Sequence, residues 1–307
     1  MSPARTPVSI SRRAALAAAA GLALAGRARA QALPVPDPFT PVPLPPKAAA
    51  KEGQMQLPSG KVFVRDTGGD GPAVVLMHPA TGSALIWGYQ EPALVAAGYR
   101  VIAWSRRGHY GSEPVDKANP GSYARDLNNL ADALGLRRFN IVASAAGCTI
   151  SLDYAMSFPE RLGKIVISAG SLGNIEEEEI RRATAGSRIK GFDDMPPEFR
   201  ELSPSYRAMN QEGVKAWLEL EHKALSGNRQ GPTLLNKFNW TTLGKMRVPT
   251  LLLYGGADLA APAALGRLVA KQLPDREMIV VPESGHSIYW EQPETFNRAV
   301  LEFFGKR

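Results

Sequence analysis

The chain has 307 residues, of which 44% are hydrophobic, enough for one large α/β domain with an ample core. A formal charge of +7 invites a nucleic-acid reading, but Arg5, Arg12, Arg13, Arg27 and Arg29 all fall in the first thirty residues, which contain no acid. About +2 remains beyond them, with no basic stripe interleaved with aromatics, so nucleic acid is not an expected partner. The single cysteine, Cys148, rules out an intramolecular disulfide and says nothing about redox compartment.

Residues 1–30 read as an export signal. Ser11-Arg12-Arg13 precedes a mildly apolar run of Ala, Gly and Leu over 14–26, and Ala28-Arg29-Ala30 offers small residues where a signal peptidase cuts. The pattern resembles a twin-arginine signal, with Ala14 and Ala15 in place of the usual Phe and Leu. An uncleaved anchoring N-terminus is the alternative. The run is too short for a comfortable span and no other stretch approaches spanning length. The expectation is a periplasmic or secreted protein with no stable membrane span after signal removal. Residues 31–52 are a proline-rich linker, whose run of prolines at 34–46 favours an extended spacer or a strap along the surface.

From residue 53 strands and helices alternate. Strands are expected at 54–57, 61–65, 73–77, 100–104, 139–142, 163–169, 249–254 and 277–281. Helical patterns cover 85–97, 123–134, the stretch after 146, 262–272 and 291–304. Apolar runs with little alternation imply burial on both faces, hence a mostly parallel, doubly wound sheet with helices on both sides. Regularity breaks over 172–241, where Pro196, Pro197 and Pro204 interrupt two or three helical stretches. The domain reading is therefore a core of 53–171 and 242–307 with an inserted helical cap at 172–241.

The stretch 139–151 carries the chemistry. A strand runs into small residues and then a helix, with Ala143 and Gly147 two before and two after Ala145. That is the layout of a nucleophile elbow, and it puts an alanine at the apex, where an attacking side chain is expected. Four further motifs stand in order around it. Leu76-Met77-His78-Pro79-Ala80-Thr81-Gly82 follows the third strand. Ser105-Arg106-Arg107-Gly108-His109-Tyr110-Gly111-Ser112 follows the fourth. Asp258, just past a strand end, precedes Pro262, and Gly285-His286-Ser287-Ile288-Tyr289-Trp290 follows the last strand. A histidine whose Nδ1–H is held by a carboxylate exposes a basic Nε2, so Asp258 and His286 are expected to meet.

Together, residues 53–305 resemble the cap-bearing α/β-hydrolase superfamily of esterases, lactonases, epoxide hydrolases, dehalogenases and carbon–carbon bond hydrolases. The resemblance implies that Asp258 and His286 are the acid and base of a triad whose nucleophile position is Ala145. It implies an oxyanion hole from the N–H groups of Ala80 and Ala146, with Thr81 adding a hydroxyl. The loop at 105–112 is expected to be architectural, with His109 a secondary catalytic candidate. Ser144 is a secondary candidate for the nucleophile, at the cost of a β-branched Val142 in a tight turn, and Cys148 is expected to be buried and structural. His78, Trp217, Phe238, Trp240 and Tyr289 are expected to contact substrate, with Phe192, Met195 and Tyr206 among further cap residues; a loop-holding role is the competing reading of His78. No metal site and no cofactor are implied.

The expected function is an exported hydrolase-like enzyme acting on a small, partly apolar carbonyl compound through the Asp258–His286 dyad. A nucleophile-less binding protein and a cofactor-free proton-transfer enzyme of lyase or oxygenase type stand as alternatives.

Overall fold

Five residues in succession, Ala73–Met77, are buried. Such a strand has no face to turn to solvent and can only lie inside a sheet covered on both sides. The computed structural model describes residues 40–170, 172, 174–225 and 233–306. The expected export signal and residues 31–39 of the linker lie outside them.

The sheet has eight strands: β1 (Lys51–Leu57), β2 (Gly60–Asp66), β3 (Ala73–Met77), β4 (Arg100–Ser105), β5 (Phe139–Ser144), β6 (Leu162–Ser168), β7 (Thr250–Gly255) and β8 (Arg276–Val281). Their spatial order is β1-β2-β4-β3-β5-β6-β7-β8. The first two form an antiparallel hairpin, β2 pairs antiparallel with β4, and the rest are parallel. β1 starts at Lys51, two residues inside the stretch expected to be linker, because Lys51 and Glu52 pair with Asp66 and Arg65.

Helices cover both faces. On one side α1 (Gln90–Ala96) and the C-terminal helix α11 (Pro293–Gly305) bury Leu94, Phe296, Val300 and Phe303 against Val74, Leu76, Val101 and Val142. On the other, α2 (Tyr123–Ala133), α3 (Ala146–Ser157) and α9 (Ala263–Ala270) bury Leu127, Leu130, Leu152 and Val269 against Val75, Ile141, Ile165 and Leu252. Alternate residues of each central strand thus enter opposite cores, as a period of two requires. The helix expected over 291–304 begins at Pro293, whose missing N–H suits a first turn; a four-residue helix, α10 (Ile288–Glu291), precedes it. The pattern at 85–97 likewise divides, a 3₁₀ turn at Ala84–Trp87 preceding α1.

Between β6 and β7 the chain forms α4 (Glu178–Ser187), α5 (Pro197–Glu201), α6 (Pro204–Met209), α7 (Gln211–Ala224) and α8 (Trp240–Leu243). Ser203 and Asn210 cap α6 and α7 by accepting N–H bonds from Tyr206 and Gly213. Asp153 on α3 fastens the return segment, accepting from the N–H groups of Leu235 and Asn236 and from Asn236 Nδ2. The proline-rich strap is tied down at Val42, whose carbonyl accepts from Tyr89 Oη at 2.6 Å. Among the described residues no helix is long and apolar enough to cross a membrane.

Candidate active site

The turn from β5 into α3 is held in a conformation that side chains avoid. Ala145 sits at φ 49°, ψ −112°, with its N–H on Ser168 O at 2.9 Å and its carbonyl accepting from Cys148 N–H. A non-glycine residue there costs about 1–3 kcal/mol and persists only where its surroundings over-determine it. They do so here: a Cβ on Gly147 would come 2.2 Å from Met77 O, so the helix can approach β3 only without one. Ala146 is the first residue of α3, so its N–H has no acceptor within the helix.

Ala145 and Ala146 line a cavity of about 500 Å³ at the C-terminal ends of the strands, together with Ala80 and His286. That volume suits a small-molecule ligand. His286 Nδ1 donates to Asp258 Oδ2 at 2.8 Å. Asp258 is itself oriented, its Oδ1 accepting from the N–H groups of Ala260 and Ala261 at 2.8 Å each. Burial disfavours the imidazolium, but Asp258 and then Glu201 outweigh it and push the His286 pKa up to about 9. The remaining ring nitrogen, Nε2, is the one left for chemistry. Among the described residues no three His, Cys, Asp or Glu side chains are placed to hold a metal ion.

The loop carrying His286 is fastened from two directions. Glu291 in α10 accepts from Gly285 N–H with both oxygens and from Ser203 N–H, all at 3.0 Å, while burial pushes its own pKa up to about 7. The carbonyl of Glu201, at the end of α5, accepts from the N–H groups of His286 at 2.8 Å and Ser287 at 3.1 Å.

Other sequence-derived candidates sit elsewhere. Ser144 is fully buried at the end of β5 and is not part of the cavity wall; strand alternation turns it away from the side that the apex faces. Cys148 is buried with Sγ on Ser168 O, and burial drives its thiol pKa far up, so it holds no thiolate. Thr81 does not contribute a hydroxyl to the cavity: its Oγ1 donates to Glu201 Oε1 at 3.2 Å.

The set of substrate-contacting residues needs correcting. His78 is sequestered, with Nδ1 bonded to Pro79 O and Nε2 accepting from Arg106 N–H, and burial with the nearby Arg106 keeps it neutral. Trp217 and Tyr289 are buried in the core on the α1–α11 side, Phe238 in the opposite core, and Trp240 packs against the latter. An aromatic's size favours burial, and sequence cannot say which core takes it. Of the expected cap residues Phe192 does line the cavity, together with Tyr123, His109, Arg107, Asn174 and Arg188, among others.

In the 105–112 loop Ser105 Oγ accepts from Ala84 N–H, Ser112 Oγ donates to Ser105 O, and Arg107 forms a buried pair with Asp126 at 2.9 Å. His109 reaches the cavity wall as a neutral ring, burial and then Arg106 lowering its pKa to about 3. Glu201 is a further wall residue that sequence reading overlooked; an exposed-looking Arg-Glu pair soon after two prolines carries no sign of it.

A mostly parallel sheet, a strained strand–helix turn at its centre and an Asp–His hydrogen bond above it define a hydrolase-type scaffold. Residues 74–299 match the family model described as the alpha/beta hydrolase family, and the chain belongs to that family. Among curated relatives, it is 29% identical over 274 residues to a 2-hydroxy-6-oxononadienedioate/2-hydroxy-6-oxononatrienedioate hydrolase of Paraburkholderia xenovorans, covering 82% of this chain and 91% of that protein. A hydrolase of the same name from Burkholderia vietnamiensis is 28% identical over 79% of this chain and 90% of its own length. Among solved structures, a thermophilic esterase from Thermogutta terrifontis superposes with a TM-score of 0.66 at 22% identity, covering 83% of this chain and 98% of that one. A bromoperoxidase from Bacillus anthracis gives 0.66 at 21% identity, covering 84% and 100%. At that identity the structural likeness speaks for the fold.

Proposed function

We propose that the protein is an exported enzyme that acts on a small, partly apolar carbonyl compound through Asp258 and His286, without a side-chain nucleophile. The observation that carries this reading is the 2.8 Å bond from His286 Nδ1 to Asp258 Oδ2, on the wall of a cavity that Ala145 also lines. Asp258 fixes the ring and stabilises the imidazolium; Nε2 then serves as base toward water or an acidic substrate proton. The N–H groups of Ala146 and Ala80 hold the oxyanion that develops, an enolate or a tetrahedral alkoxide, and the start of α3 adds its dipole. Ala145 stands where family members carry their attacking residue, and a methyl group cannot form an acyl-enzyme. The curated relatives' names describe hydrolysis of oxo-dienoic acids, which supports an enolisable oxo compound as the substrate class. Export rests on the arginine pair and alanine-rich run of residues 11–30.

The test is His286→Ala on a panel of esters, lactones and enolisable ketones, with ligand binding followed in parallel by calorimetry. Turnover is expected to fall by about 10²–10⁴-fold, the usual contribution of a positioned base, while binding persists. Binding with no turnover in the parent protein would make the cavity a receptor site instead.

A further inference from the structure

Beside His286 stands a carboxylate that the dyad does not use. Glu201 lines the same cavity, and its backbone carbonyl receives the His286 and Ser287 N–H groups, so its side chain is anchored to the imidazole's own loop. Its Oε1 accepts from Thr81 Oγ1 at 3.2 Å and its Oε2 from Ser287 Oγ at 3.4 Å, both neutral hydroxyls. The charges that face it are His286, Asp258 and Arg200, with Glu291 also in the field of His286. Burial, reinforced by Asp258 and opposed by His286, raises its pKa, which favours keeping a proton on this wall. Besides the fixed charge of Arg200, the cation that acts on Glu201 is a titrating one, His286.

We propose that Glu201 and His286 form an acid–base pair facing the cavity, with Glu201 a catalytic residue that carries the second proton-transfer role. This rests on reading the cavity as a reaction site. With an enolisable ketone, the singly protonated pair reacts from the tautomer that has its proton on Glu201: His286 Nε2 takes the proton from the carbon beside the carbonyl while the Glu201 O–H gives its proton to the carbonyl oxygen. The C–H pair becomes the new C=C bond, and the carbonyl π pair becomes the new O–H bond. The enol leaves, the proton passes from His286 to Glu201, and the enzyme is restored with no co-reactant consumed. Run backwards, the same pair converts a bound enol to its ketone.

The experiment uses the full chain, labelled with ¹⁵N at histidine, and the variants Glu201→Gln and Glu201→Asp. The four histidines are told apart with His286→Ala. In the parent protein the His286 resonances are expected to titrate in two steps, its own and that of Glu201; Glu201→Gln should leave one step at lower pH, and Glu201→Asp should keep two. Deuterium uptake from D₂O into phenylacetone, followed by proton NMR, should give a bell-shaped pH profile in the parent. Glu201→Gln should slow it by about 10²-fold or more and abolish the bell. A His286 titration unchanged by Glu201→Gln, or uptake as fast as the parent's, overturns the pair. Two-step titration with no uptake by the parent overturns the enzymatic reading of the cavity and leaves the coupled pair standing.

Discussion

The turn after β5 and the loop after β8 meet at one cavity but are held by different means. Ala145 is fixed by backbone alone, by its own hydrogen bond to Ser168 O and by the close approach of Gly147 to Met77 O. His286 is fixed by side chains and a neighbouring helix end: Asp258, Glu291 and Glu201. The difference teaches that a backbone-built turn needs nothing from the side chain at its apex. The strained φ of 49° remains although its residue offers only a methyl. A side-chain-built feature is held by charge as well: Asp258, Glu201 and Glu291 all act to keep the His286 imidazole protonated.

The comparison breaks most visibly at its backbone half. Ala145→Ser places a hydroxyl on the turn, and with His286 on the same cavity wall it is expected to raise p-nitrophenyl ester hydrolysis by about 10⁴-fold and to permit fluorophosphonate labelling. Absence of both would show that the turn no longer aims its residue at the base.

A smaller effect sharpens the side-chain half. The His286 pKa lies above its unfolded value near 6.5, so its stabilisation is fully present below that pH and is lost as pH rises through about 9. Urea unfolding of the parent and of His286→Ala should therefore differ most below pH 6.5, by an amount on the order of 3 kcal/mol greater than above pH 9. A gap independent of pH would mean that the ring contributes packing and not charge.

The smallest effect returns to the turn. Ala145→Gly removes the penalty on positive φ and is expected to stabilise the fold by about 1 kcal/mol, read as a shift in urea midpoint at unchanged slope. Destabilisation would mean that the methyl's packing outweighs the strain.

How much of this was legible in the sequence follows the same division. The sheet could be read because unbroken apolar runs such as Val74–Met77 and the small pair Ala143 and Gly147 are local signals of burial and of a tight turn. Asp258 and His286 could be paired because each lies on the loop that follows a parallel strand, at the end of the sheet where the cavity opens. The cavity's lining could not be read. Trp217, Phe238 and Tyr289 satisfy a pattern for binding and for core equally well, and only packing sent them to the core. Glu201 was invisible for the complementary reason: its place is set by a contact eighty-five residues away in sequence, with His286, that no local pattern encodes.

The two N–H bonds that Glu201 O receives have a mechanical corollary. They act as a rivet between α5 and the loop that bears the imidazole, so that edge of the helical segment cannot rise without dragging the base out of register.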